Sequence, residues 1–246
     1  MGVLSWFKGE KVLYFPGCLT KGALSGNLAN YKEIFNLLGI DFVMLPEVEV
    51  CCGVPVLNAG YFKDAQKLVE KNLKVFREKG ISRIITNCPS CLYAFNEVCP
   101  SLVREWDLKA THVTVEICGR LKEKGMVCNV ADEDREIVAY HDPCHLGRYS
   151  GIYDEPREVI EMLGGKIVES RFSREKSLCC GGGGGVRANF EKLAKDIALE
   201  RVRSFDKSAK KIVSPCGLCY ANLKDVDDRS VEFSGFVLGK LRGMRR

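Results

Sequence analysis

No run of apolar residues in this 246-residue sequence approaches the ~20 that a membrane-spanning helix needs. Aromatic side chains are few, 9% of the chain, and none are interleaved with basic runs, which argues against a nucleic-acid partner. Charge of one sign is also scarce: 37 Lys and Arg face 32 Asp and Glu, leaving a net +5, with much of the excess in the tail KLRGMRR. Such a mildly basic face suits an acidic partner protein. The start, MGVLSWFKGEK, lacks the basic stretch and long apolar core of a signal peptide. Trp6 stands where a myristoylation signal needs Ser or Thr. No Lys-Ser/Thr follows the glycine run CCGGGGGVR, so it is not a Walker loop, and no Ser-His-Asp order or spaced acid pair is evident. These absences predict a cytoplasmic protein with no transmembrane segment, with a peripheral place on a membrane complex as the alternative. At 46% hydrophobic and 28% charged residues, the chain can bury a core without staples.

What is abundant is cysteine. Thirteen are far too many for an intracellular chain unless they bind metal or do redox chemistry, because cytosolic thiols are kept reduced. Ten of them obey one rule written twice. The first set is Cys18, Cys51, Cys52, Cys88 and Cys91; the second is Cys144, Cys179, Cys180, Cys216 and Cys219. From each vicinal pair to its CxxC the gap is 36 positions, and the lone cysteine precedes its pair by 33 positions in one half and 35 in the other. Chance repetition of five cysteines is not a credible source of this pattern.

The surroundings repeat too. KVLYFPGC and EIVAYHDPC read as buried strands entering the lone cysteine. Helical stretches NYKEIFNLLG and EPREVIEMLGG follow, each stopped by glycine, then short strands DFVML and KIVES. Amphipathic helices are predicted near 61–79 and 189–205. RIITNCPSC and KIVSPCGLC then run a strand into each CxxC, and further helices are expected near 113–123 and 232–242. The expectation is an α/β chain of two pseudo-symmetric tandem α/β domains with mostly parallel sheets. The first would span 1–128 and the second 136–246, with a linker at about 129–135 within the polar stretch CNVADEDRE.

In such sheets functional groups gather at the strands' carboxyl ends, where all three cysteine elements of each half should converge. Five thiols are one more than a tetrahedral zinc or a four-iron cubane uses, and a vicinal pair suits a cluster of several irons better than one metal atom. Iron–sulfur clusters are therefore the leading reading, with structural zinc at one or both sites and a disulfide framework as alternatives. Cys99, Cys118 and Cys128 lie outside the rule and read as inert buried thiols.

The segments CCGVPVLNAGY, NCPSCL, HDPCHLGR and CCGGGGGVR give the chain a wording that resembles the duplicated cysteine-rich CCG domain, over nearly its whole length. That domain occurs in the catalytic B and D subunits of heterodisulfide reductases. It also occurs in iron–sulfur subunits of lactate, glycolate and anaerobic glycerol-3-phosphate dehydrogenases. The resemblance implies two [4Fe–4S] clusters of non-cubane type, one on Cys18, Cys51, Cys52, Cys88 and Cys91, the other on Cys144, Cys179, Cys180, Cys216 and Cys219. It further implies an oxidoreductase subunit in which clusters facing one cavity split a small disulfide with two single electrons. The alternative is a relay, passing electrons from a flavin-dependent hydroxy-acid or glycerol-phosphate dehydrogenase. A zinc scaffold without enzymatic activity is the third reading. CCGVPVLNAGY is closer in wording to the D-type and dehydrogenase branches than to the B-type. The ferredoxin run C-x2-C-x2-C-x3-C-P is absent from this sequence, so electrons are expected from a flavoprotein or ferredoxin-like subunit, with flavin only on that partner.

No catalytic residue is identified outright; His141 and His145, which flank Cys144, are the candidates. Either donates a proton to a departing thiolate or, the blander reading, hydrogen-bonds Asp142, backbone or sulfur. His112 reads as a surface or capping residue. Lys21, Arg148 and Arg187 follow cysteine motifs and are candidates to attract an anionic substrate. The glycine after each pair, Gly53 and Gly181, is expected to let backbone approach sulfur. Gly182 to Gly185 belong only to the second half. They offer N–H groups or room for substrate, and mark the second site as the one for chemistry.

Overall fold

The computed structural model describes residues 11–244. The start of the chain through Glu10, including Trp6, and Arg245–Arg246 of the basic tail lie outside the described residues.

Two parallel sheets carry the two halves. Val12–Tyr14 (β1), Arg83–Thr86 (β2) and Lys109–His112 (β3) make the first, in the order β1-β2-β3. Glu136–Tyr140 (β4), Gly165–Ile167 (β5), Lys211–Ser214 (β6) and Ser230–Glu232 (β7) make the second, ordered β5-β4-β6-β7. Every pairing among them is parallel. The expected strand 41–45 shortens to a bridge between Val43 and Leu13, on the side of β1 where β5 flanks β4. Val43 still exchanges two 2.8 Å backbone bonds with Val12 and Tyr14. Pro46 follows closely and cannot donate to a ladder, which ends the pairing there. With that bridge counted, the two halves have one topology.

The helices fall where the apolar spacing puts them. Ser25–Leu38 (α2) and Glu155–Met162 (α8) follow the lone cysteines; α2 begins earlier than expected because Gly17–Lys21 (α1) and a short turn lead straight into it. Gly39 stops α2 in the left-handed conformation at φ 67°, and Ile40 N then donates to Phe35 O in the six-to-one bond that closes such an end. Val54–Asn58 (α3) and Phe62–Glu78 (α4) follow the first cysteine pair. Pro89–Tyr93 (α5) starts at the first CxxC, then widens to a π turn at Ala94–Val98 before Cys99–Leu102 (α6). Val113–Glu123 (α7) completes the first half. In the second, Val186–Asn189 (α9), Glu191–Arg203 (α10), Gly217–Lys224 (α11) and Phe233–Gly243 (α12) correspond to α3, α4, α5 and α7.

The halves are not separate beads. α2 packs on α12 and α7 on α8, so each half's first long helix meets the other half's last. One apolar cluster accordingly runs through both sheets, from Tyr14, Tyr31 and Phe35 to Val138, Tyr140, Phe233 and Val237. Tyr31 donates to Glu232 across this seam at 2.6 Å. A second cluster fills the other face of the first sheet around Phe15, Phe76, Phe95 and Trp106. Before β4 begins at Glu136, the polar stretch from Cys128 carries the 3-10 turn Asp132–Asp134. Among the described residues, no helix is long and apolar enough to cross a membrane.

Candidate metal centres

Parallel pairing puts all strand ends of one sheet on one edge, and the cysteines cluster there. Cys18 lies just past β1 and Cys88 just past β2; Cys144 and Cys216 repeat these places after β4 and β6. Cys88 and Cys216 are the N-terminal caps of α5 and α11, so the second cysteine of each CxxC sits in the first helical turn. Thr86 Oγ1 accepts from Cys88 N at 3.1 Å and orients that entry. Gly17 lets the strand end come close: a Cβ there would lie 3.2 Å from Cys88 Cβ and 3.3 Å from Cys91 Sγ.

Within each set of five the thiols act on one another's protons in a linked order. In the first half it runs Cys18–Cys51–Cys52–Cys91–Cys88. In the second it runs Cys144–Cys179–Cys180–Cys219–Cys216, the same order of links. Thiols this close compete for protons. The Cys51 thiol, and then burial, push Cys18 above the usual thiol range. Cys52, between the Cys51 and Cys91 thiols, is held well below it, while Cys91 is pushed well above by Cys52, Cys88 and burial. Likewise Cys144 and Cys180 hold Cys179 down, and Cys179 pushes Cys180 up to about 12. Thiols crowded this way suit a strongly cationic, multi-thiolate group. The donor set is all sulfur and five strong, so the residues fit an iron–sulfur cluster in each half.

The CCG glycines have a second role besides the expected approach of backbone to sulfur. Gly53 and Gly181 are left-handed, φ 92° and 82°, and their Cα atoms face α4 and α10. A Cβ at Gly181 would meet Ala194 O at 2.8 Å and Ile197 Cβ at 2.9 Å; at Gly53 it would meet Ala65 O at 3.4 Å. Sulfur is reached through N–H groups. Gly181 N donates to Cys179 Sγ at 3.3 Å and Gly182 N to Cys180 Sγ at 3.4 Å. Beyond them Gly183 and Gly184 have open space around them.

Each lone-cysteine turn leans on the CxxC helix of the other half. A Cβ at Gly217 would come within 2.9 Å of Leu24 Cδ1, so glycine there admits the turn after Cys18. Around Cys144, Tyr93 of α5 meets His145 and Tyr149 edge-on, at centroid distances of 5.9 and 5.2 Å. His145 Nδ1 lies 3.4 Å from Cys144 Sγ. His141 is buried and accepts from Arg201 Nε at 3.0 Å; burial, then the Arg201 charge, hold its pKa well below the imidazole range. His112 is not a surface residue: it is fully buried and caps α7 by accepting from Thr114 N. The three candidate anion-binding cations have protein partners. Lys21 pairs with Glu49 at 2.6 Å, Arg148 donates to Ser177 O at 2.6 Å, and Arg187 pairs with Asp225 at 2.6 Å. Cys99 and Cys118 are buried as expected, while Cys128 is half-buried.

Two cavities lie nearby. One of about 190 Å³ lies between Tyr93, Asn96, His112 and Tyr149. The other, about 310 Å³, opens beside Cys179, Ile197 and Arg201. Neither is lined by cysteines of both sets.

Several residues that shape the sites carry no motif. Asp142 takes a two-pronged contact from buried Arg157 at 2.7 and 2.9 Å, and accepts from Arg174 N at 2.8 Å, anchoring the loop that leads to Cys179. Asn72 holds the approach to the first pair, accepting from Val50 N and donating to Cys51 O. Asn222 donates to Cys180 O at 2.6 Å. Polar residues on the inward side of otherwise apolar helical spacing are the available signal for Asn72, Asn222 and Arg201.

The family described as the cysteine-rich domain, CCG, matches residues 12–96 and again 138–224. The chain is 36% identical over 224 residues to the D subunit of the dihydromethanophenazine:CoB--CoM heterodisulfide reductase of Methanosarcina acetivorans, covering 88% of this chain and 54% of that protein. It is 30% identical over 201 residues to the EtfAB:quinone oxidoreductase of Syntrophomonas wolfei, covering 78% of this chain and 28% of the relative. The chain thus spans about half the length of the heterodisulfide reductase relatives it matches. Among solved structures, glutamate racemase of Francisella tularensis is similar at a TM-score of 0.39 and 12% identity, over 96% of this chain and 80% of that one.

Proposed function

The chain belongs to the cysteine-rich CCG-domain family, carrying the domain twice, and on that premise we propose that it is an iron–sulfur redox subunit of a multi-subunit oxidoreductase of the heterodisulfide reductase type. The observation that carries this reading is the pair of five-thiol chains, joined in the same order in both halves. Cys18, Cys51, Cys52, Cys88 and Cys91 hold one four-iron cluster, and Cys144, Cys179, Cys180, Cys216 and Cys219 the other. The boundary between the two units lies at 129–135. When bound, such clusters supply one-electron storage and transfer. The chain's own part is to fix the thiolates, to bury Cys52, Cys91, Cys180 and Cys219 away from water, and to aim the Gly181 and Gly182 N–H groups at sulfur. Exposed Cys18 and Cys179 leave one edge of each site open. A flavoprotein or ferredoxin-like partner supplies or takes the electrons.

Two uses of those electrons separate by experiment. Similarity to a heterodisulfide reductase favours cleavage of a small disulfide; that neither described cavity joins both cysteine sets favours a relay to a partner. Anaerobic purification should yield about eight iron atoms and matching sulfide per chain, four to each cluster. Cys180→Ser should lose about half of them, since the first five-thiol chain shares no member with the second. Zinc without sulfide overturns the redox reading. Oxidation of reduced viologen that depends on added disulfide, with release of two thiols, identifies disulfide chemistry; none, with a flavoprotein retained on purification, identifies the relay.

A further inference from the structure

The two cysteine sets match in spacing and in the order of their thiol contacts, and Cys52, Cys91, Cys180 and Cys219 are all buried. They do not match in charge. Two positions correspond through the repeat: three residues before each lone cysteine, and seven after the alanine that backs each CCG glycine. In the first half these are Phe15, packed with Cys52 and Cys91, and Asn72, bound to the Cys51 carbonyl. Both are uncharged. In the second half they are His141 and Arg201.

Arg201 is wholly buried, at 0% exposure, and its hydrogen-bond partners are all neutral. Nε donates to His141 Nδ1 at 3.0 Å, and Nη1 to Phe172 O at 2.7 Å and Ser204 Oγ at 3.1 Å; Nη2 is buried with no hydrogen-bond partner among the described residues. Of the anions that act on Arg201 Asp142 is first, but both of its oxygens are already held by Arg157. A buried guanidinium needs an anion, and the cysteines Cys219 and Cys180 act on this one. The contact with His141 also fixes a proton. An arginine Nε–H only donates, so His141 Nδ1 accepts, and the neutral ring carries its hydrogen on Nε2. That Nε2 is buried and has no other partner, while a ring nitrogen of His141 lies within 4.8 Å of the Cys180 and Cys219 sulfurs.

Resting on the two-cluster reading above, we propose that Arg201, by its buried charge and its hold on His141, gives the second site the more positive reduction potential. A single electron entering the protein then settles at the second site, which gains what the first gives up. The physical cause is a fixed cation where low polarity strengthens its field, together with the imidazole that it orients beside the sulfurs; net charge and hydrogen bonds to sulfur are among the factors that set cluster potentials. Near the first site, buried Glu49, two residues before Cys51, is balanced by Lys21.

The test uses the full chain, reconstituted anaerobically with iron and sulfide. Two variants, Cys51→Ser/Cys52→Ser and Cys179→Ser/Cys180→Ser, leave one site each to titrate with dithionite by paramagnetic resonance. The surviving second site should be at least tenfold more reduced than the surviving first at the same applied potential, about 59 mV for one electron. In the chain that keeps only the second site, Arg201→Gln should erase most of that difference and Arg201→Lys should retain it. Equal potentials, a reversed order, or equal effects of the Gln and Lys changes overturn the proposal. Iron lost with Gln but kept with Lys supports the charge requirement; if both lose it, the order of the two unsubstituted sites decides. Failure of either single-site chain to hold iron and sulfide instead counts against the two-cluster reading itself.

Discussion

At the scale of single residues, the five glycines after Cys180 are not one feature. Gly181 is required twice over, by a left-handed backbone and by the 2.8 Å that separates a Cβ from Ala194 O. Gly183 has neither constraint: nothing lies within 4 Å of its added Cβ. Left-handed backbone costs an ordinary residue roughly 1–2 kcal/mol, and neither the Ala194 carbonyl nor Ile197 Cβ can move away freely. Gly181→Ala is therefore expected to lose at least about 2 kcal/mol of unfolding free energy in denaturant titrations. Gly183→Ala should cost nothing and gain up to about 1 kcal/mol, by restricting the unfolded chain. Equal losses at the two positions would remove the distinction. In the sequence the glycine after each pair stands out because both halves have it; at Gly181 the expected approach to sulfur is present, but the packing on α10 that excludes a Cβ was not legible. The source of the difference is clear: a Cβ clash with a helix ten or more residues along the chain depends on how that helix docks, which no local pattern reveals.

At the scale of elements, the periodic segments were legible, as were the glycine stop of α2 and the His112 cap, but other caps were not. Helices α2, α4, α7, α8, α10 and α12 lie close to their expected spans because each buries an apolar stripe, and strands β2 and β6 run into their CxxC motifs as read. The strand expected at 41–45 is cut to a single bridge, since apolar alternation does not register that Pro46 truncates the ladder. The end of β7 shows what a cap can hide. Glu232 is buried, accepts from Ser234 N at 2.8 Å to start α12, and takes the Tyr31 hydroxyl. Burial raises its pKa from 4.5 to about 6. The folded state therefore holds this proton more tightly than the unfolded chain does. That contribution is complete below about pH 4.5 and is lost as pH rises through about 6, an effect on the order of 2 kcal/mol. Stability measured across that window should fall with rising pH more in the native chain than in Glu232→Gln, which has no proton to lose. Parallel pH profiles for the two proteins would refute the assignment.

At the scale of the whole molecule, the duplication was plain in the sequence, but how its copies join was not. Ten cysteines and the repeated strand–helix order announced two α/β units; nothing in either copy said that the first long helix of each would pack on the last helix of the other. That exchange needs only apolar stripes of compatible shape, which read the same whichever sheet they cover. Its energetic consequence is that the copies are not free to unfold one at a time. The cluster from Tyr14 and Phe35 through Val138 to Phe233 is continuous, and Tyr31 and Glu232 bridge it with a buried hydrogen bond. Phe233, fully buried on α12, provides a test because the reporter can sit in the opposite half. Trp106, buried in the first half, becomes the only indole when Trp6 is replaced by Phe. In that background Phe233→Ala should cost about 3–5 kcal/mol. The loss should lower the Trp106 fluorescence midpoint and the helical circular-dichroism midpoint together, in one transition. A Trp106 midpoint that stays in place while helix is lost would mean that the halves fold independently. Coincidence would mean that damage in the second half is felt at the first cysteine set, although no thiol is shared between the two chains of contacts.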